Sequence, residues 1–125
     1  MEAMNIPATK NTPAITSDPA SNRFSIIGIS VPENASEFYQ PIIERLFRAG
    51  EMPAPGSVFH FRLNYFNSSS LKAIYMLLNE VKKGIDSGHA YVIEWCVEQD
   101  DEFMQEAAET FSELLGVPLT VLPME

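Results

Sequence analysis

The sequence predicts an α/β fold: a single domain spanning residues 1–125, with a mixed β-sheet and helices packed mainly on one face, in the order β-β-α-β-α-β-α-β. Three observations carry this expectation. Runs of β-branched and aromatic residues recur between stretches with the apolar period of an amphipathic helix. The longest run, Val58 to Phe66, alternates: Phe59, Phe61, Leu63 and Tyr65 point one way, and His60, Arg62 and Asn64 the other. Such alternation belongs to a sheet with one face on the core and the other polar. Finally, 125 residues with 46% hydrophobic content can bury one core and not two.

The elements follow in order. Residues 1–22 carry three prolines and few large apolar groups, so the segment reads as mostly extended. Residues 1–11 are expected to be flexible, and Thr12-Pro13-Ala14-Ile15 forms a short edge strand. Phe24 to Val31 is a strand ended by Pro32, with Gly28 as a bulge or close-packing point. Asn34 and Glu37 have capping-box spacing, and Tyr39, Ile42, Ile43, Leu46 and Phe47 share one helical face. Pro41 lacks the N–H that a helix interior needs, so the helix is expected to start near Gln40 or to kink there, and to end at Gly50. Met52 to Gly56 is a loop.

After the alternating strand, Asn67-Ser68-Ser69-Ser70 stops the extended chain and supplies helix-capping side chains. Leu71, Ile74, Tyr75, Leu78, Val81 and Ile85 form the stripe of the next helix, closed by Gly88. Tyr91 to Val97 is a further strand, in which Cys96 reads as a small buried hydrophobe. Asp100 or Asp101 caps the last helix, whose apolar face is Met104, Ala107, Ala108, Phe111, Leu114 and Leu115. Gly116 and Pro118 end it, and Leu119 to Leu122 is a final strand.

Charge excludes several function classes. The formal charge is −9, from 17 acidic against 8 basic side chains. All the Lys and Arg lie in residues 1–90, where they balance the acids, while residues 91–125 hold nine acids and no Lys or Arg. With no basic stripe to neutralise phosphates, nucleic acid is not an expected partner. No apolar run approaches the roughly 18 residues of a membrane span, and the polar N-terminus lacks the pattern of a signal peptide. One cysteine fits a reducing compartment, and the expected location is the cytoplasm. On the last helix, Glu102, Glu106, Glu109 and Glu113 lie opposite the apolar stripe. They form either a solubilising face or a docking surface that steers a basic partner.

Most enzyme constellations are missing from the pattern: there is no G-x-G-x-x-G, Walker A or G-x-S-x-G motif. His60 and His89 stand without a neighbouring Cys or His at ligand spacing, so no metal or cofactor is expected. Asp100, Asp101 and Glu102 open a helix, where its dipole favours negative charge for ordinary reasons. Tyr65-Phe66-Asn67-Ser68-Ser69-Ser70-Leu71-Lys72 is different, because it sets three hydroxyls at a helix start. Unpaired N–H groups and the dipole favour an anion there, and Lys72 stands four residues after Ser68. One serine as an ordinary N-cap, a phosphorylated serine and a small-anion or nucleotide pocket all remain open. A hydrolase with Ser68 as nucleophile would need a general base, and no His or Asp stands near it in sequence.

The element order is similar to that of STAS domains of anti-sigma-factor antagonists, which also place a serine between a strand and the following helix. More specifically, the chain resembles the SiaC-type regulatory phosphoproteins, small STAS-like proteins of bacterial signalling modules. The resemblance rests on Thr12-Pro13-Ala14-Ile15, on Val31-Pro32-Glu33-Asn34-Ala35-Ser36 with Phe38-Tyr39, and on Tyr65 to Lys72. It continues through Glu94-Trp95 and the acidic Glu98-Gln99-Asp100-Asp101-Glu102, and so runs from about residue 12 to 120. It departs at Cys96-Val97, where the family has aromatics after the tryptophan.

This resemblance implies a non-enzymatic switch. In the family the residue after the asparagine is a threonine, phosphorylated by a dedicated Ser/Thr kinase of the histidine-kinase-like ATPase fold and dephosphorylated by a PP2C-type phosphatase. The unphosphorylated protein binds and activates a diguanylate cyclase, raising cyclic di-GMP and favouring biofilm growth. Carried over, the acceptor is Ser68, surrounded by Asn67, Ser69, Ser70 and Lys72. The expected partner surface holds Tyr65, Phe66, Glu102, Glu106, Glu109 and Glu113.

Overall fold

A computed structural model describes residues 1–48 and 50–124. Among these residues six strands and three helices follow in order: β1 (Met4–Ile6), β2 (Ala14–Asp18), β3 (Arg23–Ser30), α1 (Ala35–Leu46), β4 (Val58–Phe66), α2 (Ser68–Asp86), β5 (Val92–Val97), α3 (Glu102–Leu115) and β6 (Thr120–Pro123). The strands lie in one sheet in the order of the chain, β1-β2-β3-β4-β5-β6. β1, β2 and β3 pair antiparallel; β3 to β6 pair parallel.

This order decides where the helices go. Each parallel pair is joined by a helical crossover, and such crossovers are right-handed in nearly every known case. Because β3, β4, β5 and β6 step always in the same direction, three crossovers of one hand place all three helices on the same side. α1 packs on α2 and α2 on α3. Between helices and sheet lie Phe24, Phe59, Phe61, Phe66, Trp95 and Phe111, each at most 1% exposed. Trp95 joins the layers, with its ring centroid 5.5 Å from those of Phe61 and Phe111 and its indole N–H donated to the Met104 carbonyl at 3.1 Å. The opposite sheet face has no helical cover and carries Ile27, Ile29, His60, Arg62, Tyr65 and Glu94.

The structure corrects the expected order at its start, which is β-β-β-α-β-α-β-α-β. Residues 4–6, read as flexible, form a strand on the far side of β2, so β2 is internal. Met4 is buried, and Glu2 is held by Arg45 and Arg48 of the α1 end. Three residues are too few for a period to show in sequence, whereas the unpaired edge of β2 supplies them with hydrogen bonds.

α1 begins at Ala35, with Asn34 Oδ1 accepting the Glu37 N–H at 3.1 Å, and runs through Pro41 to Leu46. Pro41 faces solvent, where water can satisfy the Glu37 carbonyl whose helical donor the proline removes. The helix closes before the expected Gly50, with the Phe47 N–H on the Ile43 carbonyl at 3.0 Å.

Two apolar stripes are narrower than expected. Leu71 is 40% exposed and Leu114 is 61% exposed. Ser70, Ala73 and Leu77 are buried on α2 instead, because that helix packs against α1 and α3 as well as the sheet. Asp101 is the α3 cap, with Oδ1 accepting the Met104 N–H at 3.1 Å.

The expected irregularity at Gly28 is present, and its consequence lies on the neighbouring strand. Gly28 pairs with Leu63 but Ile29 pairs with Tyr65, so Asn64 is an extra residue in β4. A bulge of this kind reverses the side-chain parity beyond it. Tyr65, expected inward, is therefore 49% exposed, and Phe66 turns into the core at 1%.

Candidate functional site

Parallel strands that all point the same way bring β3, β4 and β5 to one edge of the sheet at their C-terminal ends. The N-terminal caps of all three helices, Asn34, Asn67 and Asp101, gather at that edge. In open α/β sheets ligands bind preferentially outside the carboxyl ends of the strands.

Within this edge the β4-to-α2 junction separates the three serines. Asn67, not a serine, is the N-cap: its Oδ1 accepts the Ser70 N–H at 3.0 Å and the Ser69 hydroxyl at 3.1 Å. Ser70 is fully buried and donates its hydroxyl to the Ser30 carbonyl at 3.0 Å. The Ser30 hydroxyl lies 2.9 Å from that of Ser70 and 2.6 Å from the Tyr39 hydroxyl, closing a buried cluster between β3, α1 and α2. Burial pushes the Tyr39 phenol up to about 12, against the lowering influence of its hydrogen bond with Ser30. Ser68 is the exception. It is exposed, and among the described residues its hydroxyl has no hydrogen-bond partner.

The surroundings of Ser68 are electropositive and partly apolar. The Leu71 N–H reaches the Asn67 carbonyl at 3.1 Å, while the Ser68 and Ser69 N–H groups, first in the helix, have no acceptor among the described residues. α1 and α3 carry Glu37 and Glu102 in their first turns, and α2 carries no acid there. The α2 end is thus the one whose partial positive charge no acid of its own first turn offsets. Lys72 is exposed one turn along.

Tyr65, Phe66, Asn67, Ser68, Leu71 and Phe103 line a hollow of about 270 Å³. Its rim is Tyr65, Leu71 and Phe103, each at least 40% exposed, with the Tyr65 and Phe103 rings stacked at 5.7 Å. No side chain lining the hollow is a general base suited to activating Ser68.

The hollow brings together Tyr65, Phe66, Asn67 and Ser68, Lys72 lies exposed one turn along, and Ser70 is withdrawn into the core. Of the four glutamates on α3, all exposed, Glu102 opens the helix next to Phe103, whereas Glu109 and Glu113 line a different groove against β6. Glu102 and Glu113 are separated by about 16 Å of helix rise. Phe103 and Leu71 were not anticipated as surface groups. For Phe103 a signal existed, since it falls one residue ahead of the Met104 stripe. Leu71 fits the helical period and carried none.

On the open sheet face, Glu94 Oε1 accepts the His60 Nδ1–H at 2.8 Å and Arg23 Nη2 at 3.1 Å. Partial burial alone would raise the Glu94 carboxyl, but the His60 hydrogen bond and the Arg23 charge outweigh it and hold the group below its ordinary value. Cys96 Sγ lies 3.7 Å from His60 Nε2 and is buried, and that burial pushes its thiol up. Cys96 and Val97 are 5% and 6% exposed.

Fold and site together define a small two-layer α/β protein whose chemically distinctive feature is a free hydroxyl at a helix start, bordered by exposed aromatic groups. The chain belongs to the SiaC family: the family model, described as SiaC family regulatory phosphoprotein, matches residues 6–124. It is similar to SiaC of Pseudomonas aeruginosa, with 30% identity and a TM-score of 0.84 over 99% of this chain and 100% of that one. It is also similar to a chain in the crystal structure of the P. aeruginosa diguanylate cyclase SiaD in complex with its activator SiaC. That match has 31% identity and a TM-score of 0.83, covering 97% of this chain and 99% of that one. An uncharacterised protein of P. aeruginosa strain UCBPP-PA14 is 32% identical, over 97% of this chain and 96% of its own length. Among the described residues no helix is long and apolar enough to cross a membrane.

Proposed function

We propose that this protein is a non-enzymatic cytoplasmic switch that binds and activates a diguanylate cyclase when unphosphorylated, and that phosphorylation of Ser68 turns it off. A dedicated Ser/Thr kinase of the histidine-kinase-like ATPase fold would add the phosphate and a PP2C-type phosphatase remove it, with biofilm growth following cyclic di-GMP. The observation that carries this reading is the contrast among the serines. Of the three serines at the α2 start, among the described residues, Ser68 alone combines exposure with an uncommitted hydroxyl, whereas Ser69 donates to Asn67 and Ser70 is locked in the core. The solved complex of a cyclase with a relative 31% identical to this chain supports the choice of partner.

The switch would be local. Phosphate adds about −1.5 to −2 charges and three acceptor oxygens beside the Tyr65, Leu71 and Phe103 rim. The free N–H groups of the α2 start and Lys72 stabilise that dianion in the isolated protein. A partner seated on the apolar rim would have to desolvate it, at a cost of several kcal/mol, enough to change affinity by orders of magnitude.

Calorimetry with the cognate cyclase tests the reading. Ser68→Ala is expected to bind like the unmodified protein and to accept no phosphate from the kinase, and Ser68→Asp to bind at least about tenfold more weakly. Equal binding by all three forms would defeat it. Saturable binding of free inorganic phosphate at the same site, with no covalent phosphate on the native protein, would favour an anion-binding module instead.

A further inference from the structure

The groove between α3 and β6 is separate from the Ser68 site and has its own chemistry. Among the described residues β6 is the last strand of the sheet and pairs with β5 alone. The Met124 N–H reaches the Val97 carbonyl at 2.9 Å, so by the two-residue alternation of a strand Leu122 and Thr120 also address β5. Val121 then directs its backbone N–H and C=O away from the sheet. Its side chain, 53% exposed, lies on the helix side, in register with Trp95.

There Val121 and Leu119 meet Gln105, Ala108, Ser112 and the two carboxylates Glu109 and Glu113 around a cavity of about 400 Å³. A second hollow of about 450 Å³, sharing Gln105 and Val121, continues past Pro123 to Glu98. The result is a trough along a free strand edge, apolar in its floor and acidic at both ends.

We propose that this trough takes up an extended segment of another protein by strand addition to β6, the segment carrying an apolar residue with Lys or Arg two positions to either side, so that all three share the helix-side face. Main-chain bonds to Val121 would supply register, the Ala108–Leu119–Val121 floor would take an apolar side chain, and Glu109 and Glu113 would meet the basic ones. Charge selects the occupant. Residues 91–125 contain no Lys or Arg, so a second copy docked edge to edge would oppose acidic trough to acidic trough. Pro123 has no N–H, which limits the pairing to the three or four residues beside Val121.

The test uses the full-length protein and a fluorescent, end-blocked Lys-Thr-Val-Thr-Lys peptide, which sets Val and both Lys on one face, followed by anisotropy and by amide chemical shifts. Saturable binding is expected, with shifts centred on Leu119 and Val121. It should be lost when the valine is N-methylated or the lysines replaced by glutamate. Glu109→Gln with Glu113→Gln, both on an exposed helix face, should weaken it by about fivefold or more. Absence of binding, binding indifferent to N-methylation or to the two glutamates, or shifts centred on Ser68 would each overturn the proposal. Loss of binding here leaves the Ser68 switch untouched, because the two sites share no lining residue.

Discussion

The Ser70 hydroxyl donates to the backbone carbonyl of Ser30 at 3.0 Å, across forty residues of chain, at the point where β3 ends and α2 begins. The same carbonyl accepts the Asn67 N–H at 3.1 Å, so the start of α2 is fastened to β3 by two bonds on one oxygen. Ser68 owes its outward position to this attachment: with Ser70 held inward, a residue two positions earlier on a helix points to another side.

Ser70→Ala should therefore destabilise the fold by about 1–2 kcal/mol, since it removes a buried hydroxyl from a connected cluster. Ser68→Ala should stay within about 0.5 kcal/mol of the parent, because its hydroxyl bonds to nothing. Urea unfolding of the two variants checks both values, and equal losses would contradict the division of roles.

Tyr39 predicts an alkaline limit to stability. Its folded value of about 12 lies above the ordinary 10, so the stabilisation is complete below pH 10 and is lost as pH rises toward 12. Two units correspond to about 2–3 kcal/mol at most. Urea titrations at pH 9 and 12 should show a steeper loss in the parent than in Tyr39→Phe, which has no phenol to ionise.

Glu94 predicts the opposite behaviour in acid. Its folded value lies below the ordinary 4.5, so its contribution is complete above that pH and disappears as pH falls through the lowered value. The parent should lose more stability between pH 6 and pH 3 than Glu94→Gln, in which the charge partner of Arg23 and His60 is already missing. Identical acid limbs in the two proteins would remove Glu94 from the account.

Gly84 lies in the interior of α2, where alanine is ordinarily the better helix former by about 1 kcal/mol. Here a Cβ would stand 2.1 Å from the Tyr91 ring, which is itself buried and tied through its hydroxyl to the Pro53 carbonyl at 2.5 Å. The ring cannot yield cheaply, so Gly84→Ala is expected to cost about 2–3 kcal/mol in spite of its propensity. The double variant Gly84→Ala with Tyr91→Leu should recover part of that loss in thermal unfolding.

Features that depend on short-range order were legible in the chain alone. The 3.6-residue stripes placed α1, α2 and α3, the two-residue alternation placed β4, and Asn34 and Asp101 marked helix starts that the structure keeps. The hydroxyl-rich helix start at Asn67 to Ser70 was legible for the same reason, since capping chemistry is local. Only the tertiary structure decided which of those hydroxyls is free, because Ser70 is buried by a β3 carbonyl forty residues away. It likewise decided that Tyr65 faces out and Phe66 in, through an extra residue that shows only when β4 is set against β3. Leu71 and Leu114 fit their helical stripes yet stay exposed, because the width of a buried face is set by what packs against it. The strand β1 and the open edge of β6 depend on the order of strands in the sheet, a relation between distant segments that no local period carries.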